Sequence, residues 1–143
     1  MNTDCINFFK HNQYNLLDIF DLLEENTLSS VRKKLRKLSL VTIESTSNRK
    51  VFSKCFGLNQ VLDLQIEHNQ NTINKLSIDV YITDNEIANE LMTYVLVYYY
   101  EKLGEPETHL ANVVWALKGA KKIVIKKLRT KHDKGLQIAC LLN

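Results

Sequence analysis

Apolar residues recur along this chain with two different periods, and the switch between them divides it. Ile6 and Phe9 lead into Leu16, Leu17, Phe20 and Leu23 at helical spacing, before Glu24, Glu25 and Asn26 end the run. Ser29 or Ser30 is placed to cap a second short helix, SVRKKLRKL, whose apolar edge is Val31, Leu35 and Leu38. Beyond Leu40 the period drops to two. Residues 40–44 and 50–56 read as strands joined by a turn at 45–48. In 60–67, Leu62, Leu64 and Ile66 oppose Asp63, Gln65 and Glu67. After a polar loop at 68–74, Leu76, Ile78, Val80 and Ile82 oppose Lys75, Ser77, Asp79 and Tyr81. Half-apolar strands of this kind belong to a sheet with one wet face.

The longest uninterrupted helical signal is TDNEIANELMTYVLVYYYEKLG, a helix over about 84–103. Thr83 and Glu86 have capping-box spacing, Gly104 is placed for a left-handed C-terminal cap, and Pro106 stops resumption. Ile87, Leu91, Val95 and Tyr98, flanked by Ala88, Met92 and Tyr99, form a stripe wide enough to pack on a sheet. Three strands close the chain, at 112–118, 121–128 and 136–142, with turns at 118–120 and 129–135. The class is therefore α+β: N-terminal helices, a mainly antiparallel sheet and one long helix laid on it. A single domain over 1–143 is expected, helical over 1–38 and sheet with a central helix over 40–142.

Bulk properties narrow the function classes. The chain is long enough at 143 residues to bury a core without disulfides, and its 45% hydrophobic and 24% charged residues argue against disorder. Net charge is +3, too balanced to imply a polyanionic partner by itself. Cys5, Cys55 and Cys140 are odd in number and far apart. Cys55 and Cys140 lie in apolar strand patterns, where a free thiol acts as a small hydrophobe. With no signal-peptide pattern and no membrane-length apolar run, a reducing cytoplasm is the expected compartment.

Candidate chemistry is sparse. Arg32, Lys33, Lys34, Arg36 and Lys37 suit either phosphate contacts or the solvated side of a short helix; no aromatic interleaving supports the first. A second basic zone runs from Lys118 to Lys134 on the last hairpins, where lysine also discourages edge pairing. His11, His68, His109 and His132 have no metal-ligand spacing, and no activated nucleophile or phosphate loop is present. No cofactor, metal or catalytic residue is expected, and an enzyme is disfavoured. Of Tyr98, Tyr99 and Tyr100, at least one, Tyr100 by position, must leave the core side, and exposed tyrosine suits an interface. Trp115 reads as a core anchor.

Tyr100, Leu103, Gly104 and Pro106, then Trp115, Ile123, Ile125, Leu136 and Ile138, form a helix ending in Y-x-x-L/Y-G-x-P, a Trp-bearing strand and two alternating strands. That layout resembles cytoplasmic immunity proteins of polymorphic and contact-dependent inhibition toxin systems. The resemblance implies one-to-one binding of a cognate toxin domain and occlusion of its active site, and it transfers no individual site residue. A nuclease toxin, basic around its cleft, would meet acidic residues, which makes Asp63, Glu67, Asp79, Asp84, Glu86 and Glu90 the candidates, with Tyr98 and Tyr100 as aromatic anchors. Two alternatives stay open. One is a nucleic-acid-binding module using 32–37 and the C-terminal hairpins. The other is a secretion chaperone or adaptor, which would dimerise and grip an extended segment.

Overall fold

The computed structural model describes residues 5–11, 15–19, 23, 25–56, 60–119, 121–129 and 134–142. Phe20, Glu24, Ala120 and residues 130–133 of the turn expected at 129–135, with Lys131, His132 and Asp133, lie outside them. Among the described residues, helices α1 (Cys5–His11) and α2 (Leu28–Leu35), the latter extended by a 3-10 turn at Arg36–Leu38, precede four strands: β1 (Val41–Ser45), β2 (Arg49–Cys55), β3 (Gln60–Asn69) and β4 (Thr72–Ile82). Helix α3 (Asn85–Leu103) follows, then β5 (Glu107–His109), β6 (Asn112–Ala116), β7 (Lys122–Arg129) and β8 (Lys134–Leu141). The class is α+β, and all eight strands join one antiparallel sheet in the order β1-β2-β3-β4-β8-β7-β6-β5. Helix α3 thus carries the chain from the sheet's middle to its far edge, and the last three hairpins walk back to β4.

Strict alternation on the central strands sets which face is dry. Leu62, Leu64 and Ile66 of β3 pair with Val80, Ile78 and Leu76 of β4, which pair in turn with Leu136, Ile138 and Cys140 of β8. All nine are buried, and they form one core with Leu91, Val95 and Tyr99 of α3 and Phe9, Leu16 and Val31 of the N-terminal segment. That segment is tied down by hydrogen bonds as well as packing. Gln60 accepts from the Cys5 amide at 3.0 Å, and the buried Tyr99 hydroxyl donates to the Leu17 carbonyl at 2.8 Å. Asn71 accepts from the amides of Leu28 and Ser29. At the sheet margin the ammonium of Lys54 lies over the rings of Phe8 and Phe56, so α1 shelters a cation on the dry face.

Several local expectations are corrected. The N-cap of α3 is Asp84, whose carboxylate accepts from the amides of Glu86 and Ile87, rather than Thr83 in a capping box with Glu86. Thr27, not Ser29 or Ser30, caps α2. The loop expected at 68–74 shrinks to a two-residue turn, Gln70 and Asn71, because β3 and β4 stay paired to Asn69 and Thr72. An eighth strand, β5, forms the far edge. The buried stripe of α3 is Ala88, Leu91, Val95 and Tyr99, with Tyr98 only half-buried. Cys55 is exposed near the sheet edge, whereas Cys140 is buried. Trp115 is buried as expected and donates to the Gly104 carbonyl at 2.9 Å.

Candidate binding face

The other face of the sheet carries the polar half of every central strand, and its side chains are linked. Asp79, only 4% exposed, sits at the middle. Its Oδ1 accepts from Ser77 Oγ at 2.8 Å and Gln137 Nε2 at 2.9 Å, and its Oδ2 from Gln65 Nε2 at 2.9 Å. Gln65 Oε1 accepts from Arg49 Nη2 at 2.8 Å, and Arg49 Nε lies 3.5 Å from Glu44 Oε2. One chain of contacts therefore runs Glu44–Arg49–Gln65–Asp79–Gln137, across five adjacent strands, β1, β2, β3, β4 and β8. Burying a carboxyl group is costly unless it is hydrogen-bonded, and three neutral donors meet this one.

Asp63 is the direct cross-strand partner of Asp79, and Glu67 lies 3.9 Å from the ammonium of Lys75. Over β1–β4 this face holds four carboxylates (Glu44, Asp63, Glu67, Asp79) against two cations (Arg49, Lys75). Lys122 and Lys126 of β7 share the same face beyond β8. The potential is thus graded, negative over the first half of the sheet and positive over β7. At the β1 margin Val41 and Ile43 are 65% and 59% exposed and line a shallow depression of ≈ 440 Å³ with Ser53 and Cys55.

The acidic candidates divide. Asp63, Glu67 and Asp79 belong to this face. Asp84, Glu86 and Glu90 do not: they sit at the start of α3, which packs on the opposite side, with Asp84 committed to its cap. Tyr98 and Tyr100 are on α3 as well. Tyr98 packs edge-on to Tyr99 at 5.4 Å with the ammonium of Lys102 over its ring, and burial followed by nearby Asp18 raises its phenol pKa. Tyr100 is 49% exposed, as its position implied, and donates to Glu105 at 3.2 Å, which raises its pKa. The single acidic surface expected from the sequence is therefore two surfaces.

Sequence reasoning missed Arg49, Gln65, Gln137, Val41 and Ile43. The alternation placed Gln65 on a wet face, but only the pairing of β4 with β8 brings Gln137 to Asp79. Among the described residues no three His, Cys, Asp or Glu side chains are grouped to hold a metal, and no helix is long and apolar enough to cross a membrane. Comparison with family models, curated proteins and solved structures finds no match to this chain.

Proposed function

We propose that this chain is a cytoplasmic immunity protein that binds a cognate toxin domain one-to-one and covers its active site, a nuclease being the toxin class best suited to an acidic surface. The observation that carries the reading is the ordered network across β1–β4 and β8. A sheet face that needs only solvation requires neither a buried carboxylate nor cross-strand bonds among its glutamines. Side chains already held in place lose little freedom on binding, so their contacts convert more fully into affinity. Asp63 and Glu67 beside the network attract a basic partner and speed its approach, while Val41 and Ile43 at the margin supply apolar anchors that slow release.

A second reading, nucleic-acid binding, is favoured by α2 and the turn after it. Arg32, Lys33, Arg36 and Lys37 are all exposed and form no ion pair with a described residue. The deciding experiment is co-expression of the tagged chain with the polypeptide encoded immediately upstream in its native genome, whatever its size. The immunity reading expects a one-to-one complex and loss of toxicity. Recovery of nucleic acid, released by salt, replaces it with the second reading. A homodimer that ignores the toxin points to a secretion adaptor.

A further inference from the structure

A cavity of ≈ 30 Å³ lies between the first two turns of α3 and the ends of β7 and β8, away from the candidate binding face. Asn85 and Asn89, one helical turn apart, line one wall; Lys127, Arg129 and Lys134 line the other. Arg129 and Lys134 are direct cross-strand partners, and Lys127 precedes Arg129 by two residues on the same side of β7. All three are exposed, and none forms an ion pair with a described acid. The nearby Asp84 carboxylate is held by the amides of Glu86 and Ile87, which it caps.

Like charges placed directly opposite one another destabilise an antiparallel pair. The chain nonetheless sets a third cation beside such a pair and two carboxamides across the gap. A bound anion turns that repulsion into attraction: the guanidinium supplies a planar fork, the ammonium groups point charges, and the carboxamides N–H donors. The space between the two walls is small and opens to solvent.

We propose that this cavity binds a single oxyanion of the phosphate class, either inorganic phosphate or the terminal phosphate of a nucleotide. The proposal is independent of the toxin-binding reading. Its test is thermal unfolding of the full chain titrated with inorganic phosphate, against sodium chloride at matched ionic strength. A saturable rise in Tm specific to phosphate is expected. Arg129→Gln and Lys134→Gln each weaken the apparent Kd by about tenfold or more, the worth of one charge-assisted hydrogen bond. Each also raises the Tm of the phosphate-free protein by removing the cross-strand repulsion, which confirms that the variant folds. Tighter binding of adenosine monophosphate assigns the site to a nucleotide; equal binding assigns it to the phosphate group alone. An equal rise in chloride, or a phosphate response undiminished in both variants, overturns the proposal.

Discussion

At Leu110, in the turn between β5 and β6, the backbone adopts φ +57 and the side chain is wholly exposed. A left-handed conformation costs an L-residue with a bulky side chain about 1–2 kcal/mol, and no burial here offsets it. Leu110→Gly should therefore raise stability by about 1 kcal/mol, read from the denaturant midpoint. Two buried groups make an opposite demand. Burial pushes the Cys140 thiol up to about 11 from 9.0, and it raises the Tyr99 phenol well above 10.0. As pH rises past 9 the unfolded chain loses these protons while the folded chain retains them, so folding stability falls between pH 9 and 11. Below about pH 8 neither group contributes a slope. Thermal unfolding against pH should show this alkaline decline, and Cys140→Ala or Tyr99→Phe should flatten it.

Helix α3 shows how a residue type becomes an element boundary. Asp84 holds two of the orphan amides at its start, so Asp84→Ala should cost about 1 kcal/mol in chemical denaturation. The helix itself was plain in the sequence, as were β3 and β4, because their apolar spacings persist over many residues. Its rotation was not. YVLVYYY is apolar on nearly every side, so spacing alone does not choose between Tyr98 and Tyr99, and the choice falls to Tyr99, whose hydroxyl finds the Leu17 carbonyl. β5, Glu-Thr-His, has no apolar residue to alternate and shows as a strand only through its pairing with β6. The same limit hid the polar network on the other face. Asp79 and Gln137 stand 58 residues apart, and no local pattern records that β8 returns to β4.

For the whole molecule, the decisive contrast is between two acidic surfaces on opposite sides of the sheet. On the immunity reading, Asp63→Lys with Glu67→Lys should weaken binding of the proposed toxin partner at least about tenfold, mainly through slower association, by surface plasmon resonance. Glu86→Lys with Glu90→Lys should leave affinity within about twofold. Reversal of that order would move the interface to α3. The strand order also bears on how the protein is made. The last of the eight strands to leave the ribosome is β8, and it fills the middle of the sheet. At about 5–20 residues per second, β4 waits roughly 3–12 s for that neighbour, with one edge open and Leu76, Ile78 and Val80 incompletely covered. A nascent chain of this design is an aggregation hazard in its own cell during that interval, and ribosome-associated chaperones should engage it there.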